Sequence, residues 1–331
     1  MSEPSVLTQV RGVLGVITLN RPRAINALDL SMMQSVTEVL DRWRDDDAVH
    51  AVALVGAGER GFCAGGDVRA VRQAHLDGHD AAAFFAQEYA VDLALADYAK
   101  PVVAVMDGIT MGGGVGLGMN ADLRLVTERT RMAMPETGIG FFPDVGATYR
   151  LSRSPDELGT HVALTGATFD GPDAVVLGLA DVVVDSGEVE GLLASIADGA
   201  PVEVPATGEV ASSLDAQRSW TRECYAGDDA SAVVARLEHS GVEAAHEAAQ
   251  VIRSRSPLAV AITLAHLRRA ASAGSLAEVL DADAALAAAM LDGSDFAEGV
   301  RAQLVDKDRS PRWQHERVED VTLEQVAAYL A

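Results

Sequence analysis

Two hydrophobic periods divide the chain. Over the first 200 residues, short apolar runs alternate with amphipathic stretches. VLGVITLN (13–20) is β-branched, bounded by Gly12 and Pro22, and reads as a strand. Asp29 then caps a helix over roughly 30–44, with Leu30, Met33, Val36, Leu40 and Trp43 on one face. HAVALVG (50–56) is the continuous apolar run of a strand buried on both faces. A helical stretch covers about 80–97, and PVVAVMDG (101–108) is again a strand. DLRLVT (122–127) and RMAMPE (131–136) predict short strands, and 165–184 fits a turn, a helix and a returning strand. Residues 185–210 are acidic and rich in Gly, Pro and small residues, which predicts a linker or irregular crossover. Residues 211–331 carry an alanine-rich helical pattern with no strand. The pattern predicts an α/β core over 1–200 and a helical C-terminal region over 201–331.

Composition narrows the classes. At 331 residues the chain can bury roughly 75% of its extended surface without metal or disulfide staples. The net charge of −23 repels phosphate backbones and anionic lipid, so no nucleic acid and no membrane is expected as a partner. Cys63 and Cys224 cannot build a disulfide framework, which points to a reduced, cytoplasmic setting. No signal peptide is visible in MSEPSVLTQV, and the apolar stretch 90–119 is cut by Asp92, Asp97, Lys100 and Asp107.

Familiar metal and nucleophile motifs are absent: there is no HExxH, CxxC or GxSxG, and the run GGGVGLG (112–118) does not match GxGxxG in any register, which disfavours a dinucleotide fold. His75 and His79 are spaced to share a helical face, but no further ligand matches them and they read as surface histidines. Cys63, without an assigned base, reads as a small buried thiol. Two glycine clusters are more informative. GFCAGGD (61–67) and GITMGGGVGLG (108–118) each follow a buried strand and lead toward a helix. Glycines there let backbone N–H groups approach a ligand, and two such loops can place two donors on one carbonyl oxygen. Tight turns with close helix packing are the alternative. Further along, MPETGIGFFPDVG (134–146) holds Glu136 and Asp144 in otherwise uncharged surroundings, which would raise a carboxyl pKa and suit acid, base or nucleophilic work. A helix cap and a turn residue are the plainer roles for the two.

These segments resemble one family. NRPRAINAL (20–28), GFCAGGDVR (61–69), residues 107–117 with Asp107 in first place, AMPETGIGFFPDVG (133–146) and DFAEGVRAQLVDKDRSPRW (295–313) are similar to the crotonase (enoyl-CoA hydratase/isomerase) superfamily, over nearly the whole chain. The pair MPE…FPDVG and the C-terminal motif point to its 3-hydroxyisobutyryl-CoA hydrolase branch. The resemblance implies a crotonase-like ββα spiral core and hydrolysis of a short 3-hydroxyacyl-CoA, most narrowly 3-hydroxyisobutyryl-CoA in valine catabolism. It requires no metal or other cofactor, since CoA enters as part of the substrate.

Position by position, the resemblance implies that the N–H groups of Gly66 and Gly113 form an oxyanion hole and that Glu136 is the catalytic glutamate. Asp144 takes the place of the branch's substrate-contacting aspartate, and Glu88 a further acidic position of the substrate site. Ala24, Ala64 and Asp67 fall where the family cradles CoA, with Arg23 as a candidate phosphate contact or a merely solvated arginine. One departure matters: hydratases carry a second glutamate where this chain has Gly116. The other readings are a different crotonase reaction, such as isomerisation or hydration, and a catalytically idle CoA-binding subunit. Retention of Glu88, Glu136 and Asp144 speaks against the last. A homo-oligomer is compatible with the family.

Overall fold

The computed structural model describes residues 3–206, 208 and 211–331. Its strands are β1 (Val6–Arg11), β2 (Leu14–Leu19), β3 (Ala51–Gly56), β4 (Val102–Met106), β5 (Ile109–Met111), β6 (Leu123–Thr127), β7 (Arg131–Ala133) and β8 (Val182–Val184). The helices of the first half are α1 (Leu30–Arg44), α2 (Val68–Leu76), α3 (Ala82–Ala96), α4 (Gly113–Met119), α5 (Ala147–Leu151), α6 (Leu158–Thr165) and α7 (Gly171–Val176). After these come α8 (Val189–Ala197), α9 (Arg218–Cys224), α10 (Ala230–Glu238), α11 (Glu243–Arg253), α12 (Pro257–Ala271), α13 (Leu276–Asp292), α14 (Ser294–Val300) and α15 (Leu323–Tyr329).

Contacts gather the chain into two compact units, each drawn from three segments. The first holds residues 1–67, 87–133 and 169–212; the second holds 68–86, 134–168 and 213–331.

The first unit is built on a six-stranded sheet of order β1-β2-β3-β4-β6-β8. The β1–β2 hairpin is antiparallel and every later pairing is parallel. β5 and β7 form a separate parallel pair. Side chains alternate between sheet faces. Leu14 and Val16, Ala51 and Ala53, Val103 and Val105, Leu123 and Leu125, and Val182 and Val184 therefore share one face, and they form one core with Leu193, Ile196 and Ala197 of α8. This corrects the expected linker over 185–210: its acidic, Gly- and Pro-rich flanks mask VEGLLASIA, a helix that covers an otherwise bare sheet face. Residues 207, 209 and 210 of that span lie outside the described residues. Gly15, one residue out of phase, meets α1, where an added Cβ would sit 2.7 Å from the Trp43 ring.

α1 begins where predicted, with the Asp29 side chain accepting the Met32 N–H at 2.9 Å. Its buried face runs through Met32, Met33, Val36, Val39, Leu40 and Trp43, whereas Leu30, expected on it, is 40% exposed in the first turn.

The second unit is helical. Its main core joins Leu164 of α6 to Trp220, Tyr225, Val233, Leu237, Ala248, Ile252, Val260 and Leu264. His161 lies in this apolar setting with Nδ1 2.9 Å from the Tyr225 hydroxyl, and burial pushes its pKa down to about 4, so it is neutral at physiological pH. Among the described residues no helix is long and apolar enough to cross a membrane.

The sheet packing carries a paired prediction. Gly15→Ala should cost about 1–3 kcal/mol by overpacking against Trp43. Gly191→Ala, inside α8 with nothing within 4 Å of the added Cβ, should instead stabilise by up to about 1 kcal/mol. Urea midpoints of the two variants, at unchanged m-value, check the opposite signs.

Candidate active site

In the first unit the 61–67 loop is laced on both sides by backbone bonds. On one side Leu28 donates to the Gly65 carbonyl (2.8 Å) and accepts from the Asp67 N–H (2.7 Å), the pattern of a parallel bridge between Leu28 and Gly66. In that pattern Gly66 is flanked by the two bonds but makes neither, so its own N–H points away from Leu28. On the other side Cys63 donates to the Ile109 carbonyl (3.1 Å) and accepts from the Met111 N–H (2.9 Å), bridging the loop to β5. Gly113 opens α4, within the first turn, whose N–H groups have no partner inside the helix. The loops are close: a Cβ on Gly65 would lie 3.5 Å from the Gly113 nitrogen. The carboxylate of Glu88, 2% exposed on α3, is held so near Gly113 that any side chain there would overlap its Oε1. The structure thus brings Gly66, Gly113 and Glu88 together.

The anchor of this loop is a residue that sequence reasoning passed over. Asn26 is fully buried with a left-handed backbone (φ 55°). Its side-chain amide donates to the carbonyls of Ala57 (3.0 Å), Gly61 (3.1 Å) and Phe62 (3.1 Å), and its Oδ1 accepts from the Arg21 N–H (3.0 Å). The only sequence signal was an asparagine among turn residues, since Asn tolerates this conformation better than most. Arg21 was missed as well. It donates to the Ala27 carbonyl at 2.6 Å and pairs with Asp67 at 3.1 Å. Asp67 therefore has an internal structural partner. Ala24 and Arg23 are exposed in the short 3-10 turn Pro22–Ala24, and Ala64 donates its N–H to the Ile25 carbonyl (2.9 Å).

Several other reactive or conspicuous residues have plain structural roles. Cys63 donates from Sγ to the Asn26 carbonyl (3.3 Å), and burial pushes its thiol up to about 12, so it is no thiolate at neutral pH. His75 and His79 do not share a helical face, because α2 ends at Leu76. Asp107 is engaged with Arg129 and with the Thr127 hydroxyl (2.6 Å). Gly116 is buried within α4. Among the described residues no group of three His, Cys, Asp or Glu is placed to hold a metal ion.

In the second unit the two remaining acids lie on consecutive turns. Glu136 (7% exposed) opens a 3-10 turn, Glu136–Ile139, that closes through left-handed Gly140. Surrounding helices fix this turn. The Thr137 carbonyl accepts the Ser256 N–H (3.1 Å) at the cap of α12, and the Thr137 hydroxyl donates to the Leu164 carbonyl (3.2 Å). Arg255 beside it donates to the Thr165 carbonyl, and its partial burial lowers its pKa. α14 presses on the same turn: a side chain at Gly299 would run into the Ile139 backbone. Asp295 of that helix accepts from the Ser256 hydroxyl (2.6 Å) and the Gln314 N–H (2.7 Å). The C-terminal DFAEGV motif thus buttresses the Glu136 turn. Asp144 (4% exposed) follows Phe141, whose ring stacks on Phe85 and meets Phe296 at a tilt, and begins a turn closed by the Ala147 N–H on its carbonyl (2.8 Å).

Comparison with known proteins identifies the family and the fold. A family model described as enoyl-CoA hydratase/isomerase matches residues 14–330. The 3-hydroxyisobutyryl-CoA hydrolase of Rattus norvegicus mitochondria is 38% identical, over 98% of this chain and 88% of that protein. Its Homo sapiens counterpart is 37% identical, over 96% and 86%. Among solved structures, a carnitinyl-CoA dehydratase from Mycobacterium thermoresistibile superposes with TM-score 0.91 at 45% identity, covering 99% of this chain and 97% of that one. An enoyl-CoA hydratase from Rhodobacter sphaeroides superposes with TM-score 0.95 at 38% identity, with the same coverage.

Removing the anchor tests the first-unit geometry. Asn26→Ala leaves three buried carbonyls short of a donor and should destabilise by about 3 kcal/mol. Asn26→Gly, at ease with a positive φ, should lose about 1 kcal/mol less. Denaturant unfolding of both variants measures the difference.

Proposed function

The chain belongs to the enoyl-CoA hydratase/isomerase family, and on that footing we propose that it hydrolyses the thioester of a short 3-hydroxyacyl-CoA, most narrowly 3-hydroxyisobutyryl-CoA. The observation that carries this reading is the distribution of acids. A buried glutamate, Glu136, opens a rigid turn, while position 116, where a hydratase keeps its second glutamate, is a buried glycine. Addition of water across a double bond needs one carboxylate to activate the water and another to direct its protons. Thioester hydrolysis needs one. The 37–38% identity to the two mitochondrial hydrolases, over nearly their whole length, points the same way.

In this reading the N–H groups of Gly66 and Gly113 bind the thioester oxygen and stabilise the charge that grows on it as the carbonyl is attacked. Glu136 supplies the attacking oxygen itself, forming a mixed anhydride that water then opens, or it takes the proton of an attacking water. On either route the carbon–sulfur bond breaks and CoA leaves as a thiolate, a weak base that needs little acid assistance. Water provides the hydroxyl of the free acid and the proton of the released thiol. Asp144 accepts a hydrogen bond from the substrate 3-hydroxyl or positions the water. Glu88, Ala24 and Ala64 contribute to substrate binding, while Asp67 acts indirectly through Arg21. No metal or additional cofactor takes part. The two free, buried cysteines fit a reducing compartment.

A second reading rests on Glu88. Its carboxylate beside Gly113 gives the first unit an acid of its own, which would suit addition or elimination of water. A panel of acyl-CoA thioesters separates the two. Hydrolysis releases CoA thiol from 3-hydroxyacyl-CoA, whereas hydration changes only the enoyl absorbance.

We expect thiol release from 3-hydroxyisobutyryl-CoA and crotonyl-CoA hydration well below about 10 per second. Efficient hydration without thiol release would replace the first reading by the second. Glu136→Gln, which keeps the volume and removes the nucleophile or base, should cut thiol release by at least about a hundredfold with the fold intact. Near-normal turnover in the folded variant would remove Glu136 from the chemistry.

A further inference from the structure

The turn that carries Asp144 runs through a backbone conformation its sequence does not favour. Between the Asp144 carbonyl and the Ala147 N–H, Val145 has φ 55° and Gly146 φ 73°, both in the left-handed region. Two successive positive φ values define a type I′ turn, whose central positions are dominated by Gly, Asn and Asp. Val145 is β-branched and completely buried, the residue type for which a positive φ is a true outlier. Such a conformation persists only where its surroundings over-determine it.

The surroundings come from α12 and α13. Asp283, fully buried on α13, accepts the Gly146 N–H through Oδ2 at 2.7 Å. Its Oδ1 accepts from Nε2 of His266 on α12 at 2.6 Å. Leu276 and Leu280 lie seven and three residues before Asp283, on the same helix face, and close over Gly146, so a side chain there would press on Leu276. His266 also meets the Phe142 ring edge-on at 5.4 Å between centroids. Residues on both sides of Asp144, Phe142 and Gly146, are thus in contact with one buried carboxylate–imidazole pair.

We propose that Asp283 is a positioning residue: held by His266, it clamps the Gly146 N–H, maintains the strained Val145–Gly146 turn and so fixes the Asp144 carboxylate for recognition of the substrate 3-hydroxyl. The recognition part rests on the function proposed above; the clamp itself does not. A buried pair serving only to join α12 to α13 would instead affect all substrates equally and leave the 144–149 turn no more mobile than the rest of the unit.

The experiment uses the full-length protein and Asp283→Asn, which keeps the shape but offers one acceptor oxygen to two donors. Amide hydrogen exchange should speed up at least tenfold over residues 144–149, with exchange in β2, β3 and β4 unchanged. The kcat/KM for 3-hydroxyisobutyryl-CoA should fall about tenfold, and much less for isobutyryl-CoA. In the Asp144→Ala background the same substitution should have almost no further effect on the hydroxylated substrate. Should Asp283→Asn fail to fold, Asp283→Glu, which moves the carboxylate by one methylene, is read by the same measurements. Unchanged exchange over 144–149 overturns the clamp, and equal losses on both substrates, or a full further loss in the Asp144→Ala background, overturn the positioning role. A native protein that releases no CoA thiol would sink the function reading, while the exchange measurement still decides the clamp.

Discussion

The four side-chain hydrogen bonds of Asn26 are the constraint on which the geometry of the first unit's glycine loop depends. A loop that turns an N–H outward toward a ligand cannot use that group to hold itself. Its stability must come from carbonyls tied down elsewhere. Asn26 does this from inside, with a donor amide directed at three carbonyls of the 57–62 segment and an acceptor oxygen on the Arg21 N–H. Once 57–62 is fixed, the bridges to Leu28 and Thr110 fix 63–66, and the outward orientation of the Gly66 N–H follows. Position 113 has no room for a side chain, because the Glu88 carboxylate occupies the space a Cβ would take.

The second unit solves a different problem by similar means. Its acids lie on short irregular turns, which have little rigidity of their own. Helices that arrive much later in the chain supply it. Ser256, Asp295 and Gly299 hold the Glu136 turn, and Asp283 and Leu280 hold the turn after Asp144. The long helical region therefore acts as a frame for two carboxylates, and its buried Ser256 and Asp283 each meet a backbone group of one of these turns.

How much of this was legible in the sequence depended on whether the signal was local. The strands from β2 to β4 were visible because parallel strands buried on both faces read as apolar runs, and α1 because Asp29 caps a clear 3.6-residue pattern. The two glycine loops and the acids Glu136 and Asp144 stood out by composition, and their family resemblance fixed their meaning. α8 was hidden because nine helical residues sit within an acidic, Gly- and Pro-rich stretch, and only the sheet face they cover gives them a reason to fold. Asn26, Arg21 and Asp283 were invisible for a deeper reason. Their partners lie up to 137 residues away, and nothing at those positions reports the distance.

Because each unit is stitched from three separate stretches, its completion is tied to the order in which the chain is made. The first 67 residues can pair β1, β2 and β3 and pack α1 among themselves, but the sheet and its cover stay incomplete until residues 87–133 and 169–212 have followed. At ribosomal speeds of about 5–20 residues per second, that wait is on the order of ten seconds. The Glu136 and Asp144 turns wait longer still, since the helices that hold them are among the last parts synthesised. Nascent chains must therefore carry the sheet face that α8 covers, with Leu14, Val16, Ala51 and Ala53 on it, unprotected for that interval. The burden on chaperones should fall during synthesis, before any substrate is met, and a late truncation should release both acidic turns while leaving the sheet's own residues complete.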